Sequence, residues 1–297
     1  MTYSIVARDP SSGELGVAVQ SHWFSVGSVV SWAAPGVGAV ATQSVAEVSY
    51  GPRGLELMEK GHSAEDSLAV LLAEDPRAAY RQVAMIGADG GLAVHTGKCA
   101  VAHAGHVTGE DVSCQANMMR SPDVWPAMLD AYADASGPLA RRLIAALDAG
   151  EAAGGDARGR QSAALLVVPA RGEWWRRTVD LRVEDHPEPL AELRRLLTLH
   201  EAYGCAGRAD ELAAEGRHEE AAELYSEAAA LVPDNAELRF WAGLGAAQAG
   251  DLETGVAGVR ASIAEEAGWR ELLGHLPESL APAASAVLAR IVETKEQ

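Results

Sequence analysis

Residues 2–21 read TYSIVARDPSSGELGVAVQS. Residues 2–8 are β-rich and loosely alternate apolar with polar side chains, which predicts a strand. Asp9-Pro10 and Gly13 supply turn chemistry, and LGVAVQS (15–21) predicts a second strand, so the stretch reads as a β-hairpin. A threonine stands at its head. As an internal residue Thr2 is an ordinary strand former. As the first residue of a mature chain it is something else. Methionine aminopeptidase removes Met1 when residue 2 is small, and threonine qualifies. Thr2 then carries a hydroxyl and a free α-amine together. That amine has an unperturbed pKa near ~8. It can take the hydroxyl proton and later return it to a leaving amine, which is how a threonine becomes an acyl-transfer nucleophile.

Composition narrows the function classes. The 297 residues hold 24 Lys+Arg against 42 Asp+Glu, a net charge of −18. So acidic a chain is not expected to bind nucleic acid or an anionic membrane surface, both of which call for a basic field. No apolar run of membrane-spanning length occurs, and no export signal is visible, so a cytoplasmic location is expected. Three cysteines, Cys99, Cys114 and Cys205, suit a reducing compartment. Cys99, His103, His106 and Cys114 do not follow a zinc spacing, and three-residue separation sets the two histidines on opposite faces of a strand. No phosphate-loop motif occurs either. Neither a metal nor a cofactor is expected.

Further strands are predicted at GVGAVATQS (36–44), RQVAMIG (81–87), LAVHTG (92–97), AVAHAGH (100–106), DVSCQANMM (111–119), QSAALLVV (161–168) and WWRRTVDLRV (174–183). Helices are predicted at 50–61, with Pro52 near the start, and from Ser63, an N-cap with Asp66 three residues on. Leu68, Leu71 and Leu72 form the apolar stripe of the second of these. Two more helices cover Pro122–Ala135 and Pro138–Gly150, and another Pro189–Tyr203. Hairpin-linked strand blocks separated by helix pairs argue against strict βαβ alternation and for stacked antiparallel sheets with helices outside. From about residue 204 the chain turns Ala- and Glu-rich and strand patterns vanish. Gly216 and Gly250 stand 34 residues apart, with Ala221, Tyr225, Ala228, Pro233 and Gly243 in a pattern that resembles tetratricopeptide repeats. Gly255 and Val259 depart from it. Domains are therefore expected at 1–203 and 204–297, the second docking on the first or on a protein partner.

The blocks SIVARDPxxGELGVAVxS, GVGAVATQ, YGPRGLELMxxG, GHxTG, QANMM and GGDARGRQSAALLVV are similar to those of the family catalogued as domain of unknown function 1028, from about Thr2 to His200. The layout also resembles the start of proteasome-type subunits. The resemblance implies an α+β fold, a four-layer αββα sandwich of the N-terminal-nucleophile (Ntn) hydrolase type, here with a C-terminal helical extension. One departure stands out. Proteasome-type subunits use an early lysine to activate the nucleophile, whereas the lysines here are Lys60, Lys98 and Lys295, none near Thr2 in sequence.

Several residues are candidates beside Thr2. Ser21 and His22 end the second strand; Ser21 could hydrogen-bond the amine, and a neutral His22 could tune it or hold substrate, against a cap and a loop histidine as the plain alternatives. Thr42 and Gln43 end a small-residue strand, where the Gln43 amide could donate to an oxyanion or merely bond backbone. Gln115 and Asn117 share a strand face and could form an oxyanion clamp or stitch two sheets together. Arg160, in the glycine-rich GGDARGRQS with Gln161 beside it, could hold a substrate carboxylate, the alternative being a plain helix-to-strand connection. The expected function is hydrolysis of a small amide or peptide-like substrate through Thr2, in a homodimer; the alternative is a non-catalytic ligand- or partner-binding protein on the same fold.

Overall fold

A computed structural model describes residues 2–293. Met1 and Lys295 lie outside the described residues. The chain divides into two compact units, Met1–Arg194 and Arg195–Gln297.

The first unit opens with β1 (Thr2–Arg8) and β2 (Leu15–Ser21), then a single turn α1 (Gly27–Val30), β3 (Ser31–Ala34) and β4 (Gly38–Ser44). The helices α2 (Tyr50–Glu59) and α3 (Ala64–Glu74) follow, then β5 (Arg81–Gly87), β6 (Leu92–Thr96), β7 (Gly105–Gly109) and β8 (Val112–Asn117). Next come α4 (Val124–Asp134), α5 (Leu139–Ala152), β9 (Ser162–Val168), β10 (Val179–Val183) and α6 (Pro189–Ala214), within which the division between units falls.

Every strand pairing is antiparallel. One sheet runs β10-β9-β2-β1-β8-β7 and the other β3-β4-β5-β6. The predicted hairpin is β1–β2, with Thr2 opposite Ser21 and Arg8 opposite Leu15. Alternation along β1 and β2 decides what each face meets. Val6, Leu15, Val17 and Val19 point to the second sheet and share a core with Ala39, Ala41, Ala84 and Ile86. On the other face α4 and α5 cover the six-stranded sheet; a Cβ on Gly16 would come 2.6 Å from Leu143 of α5, so only glycine admits that approach. α2 and α3 cover the four-stranded sheet, where Tyr50, Met58, Leu68 and Leu71 pack on Val40, Val83 and Met85. Leu72, assigned to the same stripe, is only half-buried. Ser63 caps α3, its hydroxyl accepting from the Asp66 N–H at 3.0 Å.

The structure differs from the predicted elements in three places. Residues 100–104 lie outside any strand: the Ala100 N–H closes a turn on the Gly97 carbonyl, the Val101 and His103 carbonyls accept isolated bonds from the Met118 and Met119 N–H groups, and β7 begins at Gly105. Residues 174–178 form an exposed loop ahead of β10. The last helix of this stretch runs on to Ala214; Gly204 and Gly207, weak helix formers, sit inside it without ending it. The short α1 and β3 had no sequence signal of their own.

In the second unit α7 (His218–Leu231), α8 (Ala236–Gln248), α9 (Leu252–Glu265), α10 (Gly268–His275) and α11 (Ala284–Glu293) are all helical. Ala202, Cys205 and Ala209 pack with Ala221, Tyr225 and Ala228. A Cβ on Gly243 would approach the Gly255 carbonyl to 2.9 Å, so the small residue lets α8 and α9 close on each other. Among the described residues no helix is long and apolar enough to cross a membrane.

Candidate functional site

Thr2 heads a strand that is flanked on both sides, by Ser21 of β2 and Asn117 of β8. Its side chain is buried, and its Oγ1 lies 3.0 Å from Ser21 Oγ. Alternation sends Thr2 and Ser4 toward the second sheet and Tyr3 toward the helices. There the Tyr3 hydroxyl donates to Glu151 Oε2 at 2.8 Å. Burial, reinforced by the Glu151 carboxylate, pushes that hydroxyl well above its ordinary pKa, so it stays a donor.

Beneath Thr2 lies a buried chain of amides and hydroxyls. Gln43 Nε2 and Asn117 Nδ2 each donate to the Thr2 carbonyl at 3.3 Å. The same two groups donate to Gln82 Oε1, at 2.8 and 3.0 Å. Gln82 Nε2 lies within hydrogen-bonding distance of Thr96 Oγ1, the Gly105 carbonyl and the Ala116 carbonyl. Ser4 donates to Gln43 Oε1 at 2.7 Å and accepts from Gln115 Nε2 at 2.6 Å, while Ser113 donates to Gln115 Oε1. Both amide atoms of Gln115 are thus spent inside the network, and Gln43 and Asn117 grip the backbone of Thr2. One atom stands apart: Asn117 Oδ1 is buried with no hydrogen-bond partner. β4 ends on Ser44 (φ 74°) and Met118 (φ 58°) directly follows β8, both in the left-handed region that non-glycine residues seldom adopt.

Above Thr2 opens a cleft of about 480 Å³, walled by Trp23, Val26, Val29, Val30, Val45 and Val48, with Gln43, Ser44 and Ala46 completing it. Arg81, almost wholly buried, braces the Val45 side: it donates to the Val45 carbonyl at 2.7 Å and to Asp75 Oδ2 at 2.7 Å, with Glu47 3.7 Å away. The Arg81 hydrogen bond holds the Asp75 carboxyl below its ordinary pKa.

The other candidates lie beside the cleft and do not line it. The His22 N–H donates to Asp156 Oδ2 at 3.0 Å, and its Nδ1 sits 3.3 Å from the Arg160 carbonyl. Asp156 is buried and also holds Arg158. Arg160 is engaged by Glu188 and by Glu151, the latter at 3.5 Å. The Gln161 N–H donates to the Ser21 carbonyl at 3.2 Å, fixing the end of β2. Thr42 Oγ1 donates to the Glu47 carbonyl at 3.1 Å. Cys99 is exposed and Cys114 buried, and among the described residues no cluster of His, Cys, Asp or Glu could hold a metal ion.

The structure therefore gathers Thr2, Ser21, Gln43 and Asn117, and links Gln115 to them through Ser4. Sequence reasoning missed Gln82, whose position as a lone amide at the head of the apolar run VAMIG (83–87) was a readable signal, and the valines of α1, which had none.

No curated protein matches this chain. Among solved structures, protein SPO2555 from Silicibacter pomeroyi, assigned to DUF1028, is 32% identical with a TM-score of 0.61, over 66% of this chain and 84% of that one. The ancestral β-subunit Anbu from Yersinia bercovieri is 13% identical with a TM-score of 0.34, over 65% of this chain and 91% of that one. Residues 2–193, almost the whole first unit, match the family described as "Family of unknown function (DUF1028)", and the chain belongs to that family.

Proposed function

We propose that the protein is an N-terminal-nucleophile amidohydrolase, with Thr2 exposed as the first residue by removal of Met1. The observation that carries the reading is the setting of Thr2: a flanked strand head, its hydroxyl 3.0 Å from Ser21 and at the floor of a cleft of about 480 Å³. A cleft of that size suits a small substrate.

The α-amine of Thr2 takes the hydroxyl proton as Oγ1 attacks the amide carbonyl. The C–N bond then breaks, and the departing amine carries that proton away. Water repeats the sequence on the acyl-enzyme and returns the free acid. Ser21 orients the hydroxyl. The unpartnered Asn117 Oδ1 accepts an N–H of the freed amine and so aims its lone pair, which gives a neutral group the place of the missing lysine. Gln43 and Asn117 hold the Thr2 carbonyl in place rather than the oxyanion. The Val45 N–H is spent on the Tyr80 carbonyl at 3.3 Å, so the backbone N–H groups of Ser44 and Ala46, where the chain leaves β4 at the cleft, serve the oxyanion. Arg160 is paired with Glu188 and Glu151 and lies outside the cleft lining, so this reading gives it no part in substrate binding.

Intact-mass spectrometry should show Met1 absent, and a threonine-directed β-lactone should add one acyl group at Thr2. Retention of Met1 in protein that turns over amides, or unchanged turnover by Thr2→Ala, overturns the reading. The neutral Ser21 partner of Thr2 is what favours the second reading, a non-catalytic binding protein, which predicts no adduct.

A further inference from the structure

The cleft above Thr2 also carries information about what fills it. Among the described residues its lining holds no Asp, Glu, Lys or Arg, in a chain with 24 basic and 42 acidic residues. Val26 and Val30 form a buried base, while Trp23, Val45 and Val48 leave 58%, 37% and 41% of their surface uncovered at the rim. Uncovered apolar surface around a concave site is a binding feature. The lining's polar atoms are few, and the Gln43 amide is already spent: its nitrogen on Thr2, Gln82 and Gln115, its oxygen on Ser4. Glu47, which lies between the lining residues Ala46 and Val48 but is not itself in the lining, sits 3.7 Å from the buried Arg81. Away from the Thr2 α-amine, a charged group entering the cleft loses its hydration and meets no charged side chain of the lining, which is among the costliest things a binding site can ask of a ligand. An aliphatic or aromatic group loses nothing and covers valine surface.

We infer that this cleft selects an uncharged acyl group with a bulky apolar side chain next to the scissile carbonyl, of the leucine, valine or phenylalanine kind. The inference rests on the hydrolase reading for its placement beside the reacting carbonyl, but the preference itself is a property of the cleft and is measurable by binding alone. The neutral amides N-acetyl-leucinamide and N-acetyl-alaninamide, the cationic N-acetyl-lysinamide, and the anionic N-acetyl-aspartamide with its free side-chain carboxylate are titrated calorimetrically into the Met1-processed protein. In parallel, β-lactones bearing an isobutyl or a carboxymethyl group are tested for labelling of Thr2.

The leucine probe should bind about ten- to fiftyfold more tightly than the alanine probe, given the three carbons added to an apolar site. The charged probes should bind at least about a hundredfold more weakly than leucine. Val48→Arg, a substitution at an exposed rim position, should weaken leucine binding and raise aspartate binding at least tenfold. Val45→Arg, on the Arg81-braced side, is the second variant should the first fail to fold.

Apolar preference with labelling at Thr2 upholds both conclusions. Apolar preference without labelling keeps the specificity of the cleft and overturns the hydrolase reading. Labelling with no preference, or with a preference for a charged side chain, keeps the hydrolase and overturns the inference. Neither binding nor labelling overturns both.

Discussion

Replacing Gln82 with methionine removes the junction of the buried network while keeping the volume of the side chain. Gln82 Oε1 receives two amide donors, at 2.8 Å from Gln43 and 3.0 Å from Asn117. In the variant those donors retain only their longer bonds of 3.3 Å to the Thr2 carbonyl and, for Gln43, to the Gln115 carbonyl. The Ala116 carbonyl, 2.9 Å from Gln82 Nε2, loses a donor as well. A buried polar group deprived of its partner costs about 1–3 kcal/mol. Two donors left short, with partial relief from the longer bonds, give a loss of about 3–5 kcal/mol. That is a large share of the total stability of a domain, about 5–15 kcal/mol. It corresponds to roughly 10 °C in Tm for a unit of this size. Urea unfolding of wild type and Gln82→Met, extrapolated linearly to water, measures it. Because the same amides hold the Thr2 carbonyl, β-lactone labelling should slow in parallel. A stability change under about 1 kcal/mol would show that the hydrogen bonds around Gln82 contribute little, and would refute the argument that they fix Thr2.

Ser21→Ala removes the hydroxyl 3.0 Å from Thr2 Oγ1 and should slow labelling of Thr2 at least about tenfold while costing only about 1 kcal/mol of stability; equal labelling rates would remove Ser21 from the mechanism. Asp75 has a folded-state pKa below its unfolded one. Its contribution is therefore complete above the unfolded carboxylate value near ~3.9 and is lost as pH falls through the folded value. Asp75→Asn, which leaves buried Arg81 short of a partner, should cost about 1–3 kcal/mol at pH 7. The difference from wild type should shrink below about pH 4, as urea midpoints across that range will show. Arg160→Ala breaks partly exposed ion pairs and should change stability by no more than about 1 kcal/mol and labelling not at all; a large loss of labelling would return Arg160 to the substrate site.

The strands and their faces were legible because period-two patterning is a local property. Thr2–Arg8 and Leu15–Ser21 carry it, with turn residues between them, and the register of the hairpin follows. Ser31–Ala34 escaped because four residues, SWAA, are too few to show a period. Residues 100–104 misled because AVAHA has strand composition while its backbone makes one turn at Ala100 and only isolated bonds to Met118 and Met119. At the site, Thr2, Ser21, Gln43 and Asn117 could be named because each ends a readable strand. What their amides do was not legible: whether an Nδ2 or Nε2 faces a ligand or a backbone carbonyl depends on how two sheets stack. The apolar walls were hidden for the same reason, since Val26, Val29 and Val30 lie on one turn whose position is set by tertiary packing alone.

A strand's first residue is ordinarily where a sheet frays. Thr2 is held there between β2 and β8, with its carbonyl gripped by two amides. Peptidases that trim chain ends need a loose, extended terminus to engage. Once a methionine has been clipped ahead of it, the chain offers such an enzyme a residue already locked into a ladder on both sides. The fold itself would then set where maturation stops, and the folded protein should resist nibbling at its N-terminus that the unfolded chain would suffer.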